Sequence, residues 1–474
     1  MANKPSATND RGRMSYETAV AQMYALGHEL AQTPAHKFDL AHMRVLLGAL
    51  GNPERAFPSV LVAGTNGKGS TAATLAAILQ ASGLKTALYT SPHLVRINER
   101  IRLNGAPISD QDFALLHDVV DRTAERLVGE GDLPWHPSFF EMLTAMAFEY
   151  FARSRPDIAV LEVGMGGRLD ATNVVEPRVS IITDISLDHQ KFLGETIAEI
   201  AREKAGIIRA GGAVVTLPQL AEANDVIGNA ILDAGARAVD AVPYVPLMPP
   251  TPRDRGNAVR DGAPATRNRY PLEVMGAEIM VDSPLAGQHQ RRNLALAVAA
   301  AKELNQQGIT QITPETIAQG IRETDWPGRF QVLPAMGTRP EYVLDVAHNP
   351  AGAWALRATL SAAYQNSESR PESRYIVMVF GVMRDKAMQE MAEILFPIVD
   401  RLILTRADNP RSASPREIRQ AAARVADGLE TEDAEDVVSA LDKARERAGV
   451  NGLVVVTGSI YIVGEAMRAL AVRI

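Results

Sequence analysis

The sharpest chemical signal in the sequence is a glycine-rich run near its start: Gly64, Thr65, Asn66, Gly67, Lys68, Gly69, Ser70 and Thr71. It follows a predicted strand and opens a predicted helix, so backbone N–H groups and the helix N-terminus can face an anion. Lys68 adds a positive charge that can reach terminal phosphates. The spacing differs from the standard phosphate-binding loop, because Gly69 separates Lys68 from Ser70. We predict a phosphate site; the alternative is a glycine-rich turn with an exposed lysine.

A second signal is an acidic residue at the end of another predicted strand. Glu162 closes a buried apolar run and is followed by Gly164, Gly166 and Gly167. Burying a carboxylate is costly unless a cation neutralises it. A nucleotide-bound Mg²⁺ is such a cation, since Mg²⁺ is held by carboxylates and phosphates. The alternative is a glutamate on a solvated strand end.

Two more titratable residues follow a third predicted strand. A lone histidine such as His189 is more often a hydrogen-bonded structural residue than a ligand, and Mg²⁺ prefers oxygen ligands. Lys204 lies late in a predicted helix, where a lysine is ordinarily solvated. From residue chemistry alone, neither side chain is therefore assigned to a metal.

In the second half of the chain, Asp345 and His348 follow a predicted strand in the segment LDVAHNP. Ligand sites of wound α/β sheets form at the carboxyl ends of strands, and a packed turn is the alternative. Further strand-end candidates, each weak alone, are Asp385, Lys386, Arg411, Ser412 and Ser459.

Short apolar runs alternate with longer helical patterns, which predicts a wound α/β fold with strands buried on both faces. Strands are predicted over 59–63, 85–90, 157–163 and 179–185, and helices over 70–81 and 138–153, the second with a Ser138–Glu141 capping box. A hairpin over 272–275 and 278–281, turned at Gly276, precedes a helix over 291–304. A second series has strands over 342–346, 375–381, 401–405 and 453–457, with helices near 350–363, 385–396, 415–426, 436–447 and 460–471.

The predicted organisation is a disordered tail (1–15), a P-loop-type domain (16–327) with a small extra hairpin region, and a smaller Rossmann-like domain (328–474). Residues 242–270, crowded with Pro, Arg, Gly and Asp, are predicted to be a surface loop or insertion. The boundary is set at 327 because a second alternating series begins near Gly328.

Composition narrows the function classes. The 474 residues carry a formal net charge of −7 and no cysteine, which excludes disulfides, zinc–thiolate sites and cysteine nucleophiles. The mildly acidic balance disfavours nucleic acid as a partner. No segment approaches the about 18 apolar residues of a membrane helix, and the polar start lacks a signal peptide. We expect a soluble, cytoplasmic protein.

Taken together, these segments resemble the folylpolyglutamate synthase/dihydrofolate synthase family, a branch of the Mur-type ATP-dependent amide ligases. The resemblance spans about 58 to 460 through GTNGKGST, YTSPHLVRINERIRLNG (89–105), SFFEMLTAMAF (138–148), EVGMGGRLDATN (162–173), SLDHQKFLGETIAEIAREKAGI (186–207), GRF (328–330) and DVAHNP (345–350).

The resemblance implies residue roles. ATP would be held by the glycine-rich run together with Asn293, Arg329 and Asp345, and Mg²⁺ by Ser91, Glu162 and His189. Lys204 matches a lysine that CO₂ carboxylates in this family, making a ligand for a second Mg²⁺. The residues that match the pterin-lining segments are Phe139, Phe140, Glu141, Leu169, Asp170 and Ala171. Core packing is an equal alternative for Phe140. His348 and Ser459 would contact glutamate, and Lys68, His189, Lys204, Asp345 and His348 would act in catalysis.

The implied activity is ATP- and Mg²⁺-dependent ligation of L-glutamate to dihydropteroate, to folate polyglutamates, or to both, through an acyl phosphate. We favour both acceptors, because SFFEMLTA and GRLDATN are similar to segments of bifunctional bacterial members. A muramyl-peptide ligase and a nucleotide-binding regulatory ATPase are the alternatives. A monomer is expected.

Overall fold

The computed structural model describes residues 14–27, 40–246, 266–365 and 374–472. The described residues form two compact units. The first extends to Tyr244 and also includes Val274–Ala277 and Asn293–Gly320; the second holds the other described residues. The division at 327 that the sequence suggests stays a prediction.

The first unit is built on a sheet that is parallel over most of its width. Its elements are α1 (Tyr16–Ala25), α2 (Leu40–Ala49), β1 (Ser59–Ala63), α3 (Lys68–Ala81), β2 (Thr86–Tyr89), β3 (Ile101–Leu103), β4 (Ala106–Pro107), α4 (Asp110–Glu130), α5 (Phe139–Ser154), β5 (Ile158–Glu162), β6 (Val179–Ile182), α6 (Gln190–Leu193), α7 (Ile197–Ala205), β7 (Ala213–Thr216), α8 (Ala221–Asp233) and β8 (Arg237–Asp240). Within the described residues the strand order is β4-β3-β2-β5-β1-β6-β7-β8. Only β3 and β4 run antiparallel to their neighbours.

The central strands confirm the predicted fold class. Every residue of β1, β2, β5 and β6 is buried, as continuous apolar runs covered by helices on both faces should be. The capping box at the start of α5 is present, with the Ser138 side chain accepting from Glu141 N and Glu141 accepting from Ser138 N. The structure adds strands β3, β4, β7 and β8, which the sequence did not predict. Strand β8 is mostly exposed and so lacks a clear apolar pattern.

Helix α3 begins at Lys68, two residues before the predicted start at Ser70. Gly67 has a φ of 89°, a left-handed conformation that turns the strand exit directly into the helix. Lys68 and Gly69 therefore belong to the first helical turn. This places the backbone N–H groups of the glycine-rich run at a helix N-terminus.

The hairpin strands β9 (Asn268–Val274) and β10 (Ala277–Ser283) and the helix α9 (Gln288–Gln306) are longer than predicted. A further helix, α10 (Pro314–Glu323), follows them. Part of the predicted 242–270 loop is thus wrong, because residues 268–270 belong to β9 and alternate buried with exposed. Residues 247–265 of that loop lie outside the described residues, as do residues 1–13 of the predicted tail. Ser15, placed in the tail, instead accepts a hydrogen bond from Thr18 N and begins α1.

The second unit carries its own wound sheet. Its elements are β11 (Gln331–Leu333), β12 (Glu341–Leu344), α11 (Pro350–Leu360), β13 (Ile376–Phe380), α12 (Met388–Leu395), β14 (Arg401–Leu404), α13 (Pro415–Ala421), β15 (Glu430–Asp433), α14 (Val437–Ala448), β16 (Leu453–Thr457) and α15 (Ile460–Ala469). Among its described strands the order is β11-β12-β16-β13-β14-β15, with only β11 antiparallel. The ends of β12, β16, β13 and β14 therefore meet at one edge.

Across the described ranges, no helix combines the length and the apolar character that crossing a membrane requires.

Candidate active site

The glycine-rich run leaves no room for side chains at two of its glycines. Gly64 has a φ of 148°, and a Cβ there would lie 1.8 Å from Thr183 Oγ1. A Cβ on Gly67 would lie 2.1 Å from Asn293 Oδ1. Both glycines are therefore required by close approach as well as by backbone conformation.

The same run is braced by the segment that follows β6. The N–H groups of Thr65 and Asn66 donate to the carbonyl of Asp184 at 2.9 and 3.2 Å. Asn66 Nδ2 donates to Ser186 Oγ at 3.0 Å, and Ser186 N donates to Thr65 Oγ1 at 3.1 Å. These bonds hold the loop in one shape before any ligand binds, which lowers the entropy cost of binding.

Lys68 stands at the N-terminus of α3 with its Nζ 3.3 Å from the Thr65 carbonyl. It is half-buried, whereas Gly69, Ser70 and Thr71 behind it are buried. The Thr71 hydroxyl donates to the backbone carbonyl of Asn293 at 3.4 Å. The structure therefore brings Asn293, predicted as a nucleotide contact, beside the glycine-rich run.

Glu162 lies next to this loop at the carboxyl edge of the sheet. It pairs in register with Val62 on the neighbouring strand, two residues before Gly64. Its side chain is buried, and its Oε2 accepts a hydrogen bond from Ser91 N at 3.1 Å. The structure thus places Ser91 and Glu162 together and excludes the alternative of a solvated strand end.

His189 follows β6 and begins the short helix α6, with a left-handed φ of 52°. Its backbone N–H donates to Asp188 Oδ1 at 2.8 Å, and its Nε2 lies 4.0 Å from the same oxygen. The imidazole is about a quarter exposed, so one face remains accessible to solvent.

Lys204 is buried, with only 3% of its surface exposed, so the ordinary expectation of a solvated lysine is wrong. Its Nζ donates to the carbonyl of Gly64 at 2.7 Å. Burial, followed by the positive charge of Lys68, lowers the pKa of Lys204 to about 7, although Asp188 and Asp170 oppose the shift. A large fraction of Lys204 is therefore a neutral, nucleophilic amine near neutral pH.

The turn after Glu162 packs against the end of α7 and fixes Lys204 there. Arg168 N donates to the carbonyl of Glu203 at 2.8 Å, and a Cβ on Gly167 would lie 2.7 Å from the same oxygen. Asp170 is buried, and its carboxylate accepts from Met165 N at 2.9 Å and Thr172 N at 3.0 Å. Burial raises the pKa of Asp170, although these hydrogen bonds oppose the shift. Asp170 thus shapes the turn itself.

The predicted pterin-lining residues occupy the start of α5 and this same turn. Phe139 is buried and stacks on Tyr24 with a centroid distance of 5.9 Å. The Phe140 ring is half-buried and lies against Gly164, where a Cβ would approach it to 2.5 Å. Leu169 is half-buried and Ala171 is buried. Phe140 packs on the core and also borders the glycine turn.

Glu141 has structural partners. Besides capping α5, it accepts from His42 Nδ1 at 3.2 Å through Oε1, while His42 Nε2 lies 3.0 Å from the Trp135 carbonyl. Both ring nitrogens of His42 therefore lie within hydrogen-bond distance of oxygen atoms. These bonds anchor the segment that leads into Phe139.

Arg100, for which the sequence alone predicts no role, lies beside Phe139. The buried guanidinium lies 5.3 Å from the centre of the Phe139 ring, and its Nε donates to His93 Nδ1 at 2.8 Å. His93 Nε2 in turn lies 3.2 Å from Tyr24 Oη. Arg100 and His93 both lie in the segment 89–105. A buried arginine on an aromatic ring is a feature that only tertiary packing reveals.

In the second unit, Asp345 stands one residue past β12 and is buried. Its Oδ2 accepts from Phe330 N at 2.8 Å and its Oδ1 from Ala347 N at 2.9 Å. Burial raises the pKa of Asp345, while the positive charge of Arg329 opposes the shift. The predicted nucleotide contacts Arg329 and Asp345 are thus neighbours.

His348 and Ser459 follow adjacent strands, β12 and β16. Gly458 N donates to the Ala347 carbonyl at 3.1 Å, which joins the two loops. His348 Nδ1 donates to the Val346 carbonyl at 2.9 Å, and a neutral ring then has Nε2 as its acceptor. Ser459 caps α15 by accepting from Tyr461 N at 3.2 Å. The structure therefore brings together the two residues predicted to contact glutamate.

In the described part of the chain, no group of three or more His, Asp or Glu side chains forms a candidate metal site. Glu162 offers a buried carboxylate beside the glycine-rich loop. Mg²⁺ in nucleotide sites is commonly held by one or two carboxylates together with substrate phosphates. The donor set at Glu162 and Ser91 fits that kind of metal.

Two protein domain families match the chain. "Mur ligase middle domain" matches residues 140–301, and "Mur ligase, glutamate ligase domain" matches residues 328–460. The chain is 34% identical to dihydrofolate synthase/folylpolyglutamate synthase of Bacillus subtilis, covering 91% of this chain and 94% of that protein. It is 32% identical to folylpolyglutamate synthase of Lacticaseibacillus casei, covering 96% and 99%.

Solved structures show the same similarity. Mycobacterium tuberculosis folylpolyglutamate synthase complexed with ADP and AMPPCP matches with a TM-score of 0.78 and 30% identity, covering 96% of this chain and 99% of that one. Escherichia coli FolC in complex with DHPP and ADP matches with a TM-score of 0.76 and 27% identity, covering 96% and 97%.

Proposed function

This chain belongs to the folylpolyglutamate synthase/dihydrofolate synthase family of Mur ligases, and from that premise we propose that it uses two acceptors, dihydropteroate and reduced folates. It is an ATP-dependent ligase that joins L-glutamate to a folate-type carboxylate through an amide bond. The observation that carries the residue assignments is the braced glycine-rich loop, with Lys68 at its helix N-terminus and Lys204 bonded to Gly64. The curated relatives named for both synthase activities support the dual acceptor.

The reaction must first make the acceptor carboxylate reactive, because a carboxylate has no good leaving group. Its oxygen attacks the γ-phosphorus of ATP, the bond to ADP breaks, and an acyl phosphate forms. The amine of glutamate then attacks the carbonyl carbon, phosphate leaves, and a proton is released. In such phosphoryl transfers the protein mainly positions groups and offsets charge. We assign that task to Lys68 and the N–H groups of the glycine-rich loop.

Glu162 and Ser91 would hold Mg²⁺, with His189 near the same edge of the sheet. A bound Mg²⁺ supplies charge neutralisation on the phosphates, the Lewis-acid role of metals in phosphoryl transfer. The buried Glu162 carboxylate, kept in place by Ser91 N, is the residue that this assignment needs most. Asp345 and Arg329 would contact the nucleotide, and His348 Nε2 would accept a hydrogen bond from glutamate.

Lys204 is proposed to carry a carboxylated amine, as the family resemblance implies. The amine adds to CO₂, one C=O π bond opens, an N–C bond forms, and one proton leaves to solvent. Only the neutral amine can react in this way. Burial and the charge of Lys68, which lower the pKa of Lys204 to about 7, therefore support the modification.

Protein equilibrated with ¹³C-bicarbonate at pH 7.5 is expected to show a protein-bound carbamate resonance from Lys204 by ¹³C NMR, in addition to any from an α-amino group, whose ordinary pKa is about 8. Lys204→Arg should lack that resonance, because a guanidinium does not carboxylate under these conditions. Lys443→Arg, at a half-buried lysine of α14 whose Nζ donates to the Asp433 carbonyl, should keep it. A set of carbamate signals that Lys204→Arg leaves unchanged, or no carbamate signal in the unchanged protein, would contradict the assignment.

The acceptor proposal is tested by ADP formation with ATP, Mg²⁺ and L-glutamate. Dihydropteroate and tetrahydrofolate are supplied in separate reactions, each with a control that omits glutamate. We expect glutamate-dependent ADP and a product one glutamate heavier in both. Activity with one acceptor alone would overturn the dual-acceptor proposal, and activity with neither would remove the ligase assignment for these substrates.

A further inference from the structure

The segment 131–138, which joins α4 to α5, is fastened by side chains where it approaches α5. Its first part is held by the backbone, since Asp132 N donates to the Leu127 carbonyl at 2.9 Å. Its last residue, Ser138, caps α5 and precedes the aromatic pair proposed to line the pterin site. We call residues 134–138 the entry segment, because they lead into that pair.

One side chain that fastens the entry segment comes from α2. His42 Nε2 lies 3.0 Å from the Trp135 carbonyl, and the two rings stack with a centroid distance of 5.5 Å. His42 Nδ1 lies 3.2 Å from Glu141 Oε1, so this carboxylate of α5 is paired with α2. The next residue of the segment, His136, is held by a different helix.

His136 fastens the entry segment to α4. Its Nε2 lies 3.1 Å from Asp121 Oδ1, and its Nδ1 lies 3.0 Å from the Pro137 carbonyl. The side chains of His136 and Asp121 are 28% and 22% exposed, so water screens the pair only in part. Carboxylate and carbonyl oxygens only accept hydrogen bonds, and both ring nitrogens of a histidine donate only when the ring is protonated. The two contacts therefore favour the charged form of His136.

The charged groups that act on His136 belong to α4 and agree with this geometry. The hydrogen bond with Asp121 raises the pKa of His136 above its ordinary value, while burial opposes the shift. The Pro137 carbonyl and the negative charges of Asp121 and Glu125 raise that pKa further. The same hydrogen bond lowers the pKa of Asp121, although burial opposes it. Asp121 is therefore ionised wherever His136 is protonated near neutral pH.

A second histidine of α4 stays neutral beside the same carboxylate. His117, one turn before Asp121, is 1% exposed, and its Nδ1 has no hydrogen-bond partner among the residues that the structure describes. Burial lowers the pKa of His117; Asp121 and Asp118 oppose the shift, and the charge of His136 adds to it. A histidine with a lowered pKa becomes charged only below the ordinary value of about 6.5. Above that pH, His136 is therefore the histidine of this cluster that titrates.

We propose that His136 is a positioning residue for the acceptor: its ion pair with Asp121 fixes the entry segment, and the acceptor binds more weakly once His136 has lost its proton. The proposal rests on the proposed function, since it takes the start of α5 as part of the pterin site. His136 lies three residues before Phe139 and four before Phe140. A shift of the entry segment therefore changes where these two rings stand.

ATP binding should not depend on this ion pair. The glycine-rich loop is braced by the segment that follows β6, through bonds from Thr65 N and Asn66 N to the Asp184 carbonyl. Neither α4 nor the entry segment takes part in those bonds. The proposal thus predicts an effect on KM for the acceptor and none on KM for ATP.

The expected dependence on pH has one direction. Because the pKa of His136 is raised, the ion pair is complete below the ordinary histidine pKa of about 6.5 and is lost as the pH rises through the raised value. KM for dihydropteroate should therefore be lowest near pH 6.5 and rise by about three- to fivefold by pH 9, the effect expected of a partly exposed ion pair. The measurement is KM for dihydropteroate and for ATP across this range.

His136→Gln should show the raised KM for dihydropteroate at every pH, because its neutral amide cannot form the ion pair. Asp121→Asn should have the same effect from the other side of the pair. Comparing variants at one pH cancels the titration of the acceptor and of Lys204. The matched control is Glu130→Gln, which removes an exposed pair with Arg126 on the same helix and should leave all constants unchanged. Circular dichroism and the melting temperature establish that each variant folds.

A second measurement needs no enzymatic activity. The Trp135 side chain is 42% exposed and directly precedes His136, so its fluorescence reports the position of the entry segment. The chain has three tryptophans, and subtracting the emission of Trp135→Phe removes the contribution of the other two. The remaining emission should change with pH at the midpoint found for KM, and His136→Gln should abolish that change.

Two failures are distinguishable. If the unchanged protein forms no glutamate-dependent ADP with either acceptor, the proposed function fails, whatever the fluorescence shows. If that protein is active and His136→Gln or Asp121→Asn keeps the unchanged KM for dihydropteroate at pH 6.5, the pair only fastens a loop and the His136 proposal is overturned. A Trp135 emission that does not change with pH overturns it as well.

Discussion

Lys68→Ala is expected to lower kcat by roughly 10²–10³-fold or more, the usual effect of removing one group that stabilises transition-state charge. Lys68 is the cation of the braced loop, at the N-terminus of α3. The fold should survive, because the Lys68 side chain is half-buried and its only described acceptor within hydrogen-bond reach is the Thr65 carbonyl. The rate of ADP formation in a single turnover measures the loss of catalysis, and circular dichroism of the same preparation measures whether the fold survives.

The same substitution has a second expected effect. Lys68 is one cause of the lowered pKa of Lys204, so its removal should raise that pKa and reduce the neutral fraction of the amine. The ¹³C-carbamate resonance should therefore weaken in Lys68→Ala at pH 7.5. Lys443→Ala is the control for the loss of a lysine elsewhere.

Full turnover in Lys68→Ala would show that the triphosphate is held by other residues.

Glu162→Gln is expected to lower kcat at ordinary Mg²⁺ by about 10²-fold or more, because a neutral amide replaces the carboxylate proposed to hold the metal. The amide oxygen can still accept from Ser91 N, so local geometry is preserved. Stability should not fall, since the substitution removes a buried charge. The measurement is a Mg²⁺ titration of turnover, in which the midpoint should move to higher concentration.

Glu176→Gln is the matched control for this substitution, because the Glu176 side chain is 86% exposed and lies in the same unit. It should leave both kcat and the Mg²⁺ midpoint unchanged. If Glu162→Gln keeps the normal Mg²⁺ midpoint, Glu162 does not hold the metal and the assignment is wrong.

Much of the architecture is predictable because its signals are local. Strand β16 matches the predicted range 453–457, and the ends of most other predicted strands shift by only a few residues. A short continuous apolar run bounded by turn residues is typical of a strand covered on both faces. The weakest predictions fall where this signal is missing, as at the mostly exposed β8, or where a glycine lets a helix start early, as at Gly67.

In the candidate site, too, some features follow from local sequence and others from tertiary contacts. By itself, the sequence determined the glycine-rich turn that opens α3, the carboxylate at the end of β5 and the wound α/β class, because glycine spacing and apolar periodicity act within a few residues. Only the tertiary structure decided that Lys204 is buried against Gly64, 140 residues away, and that Arg411 pairs with Asp385, 26 residues away. Burial and charge pairing depend on which segments the sheet brings to one edge, and no local pattern encodes that.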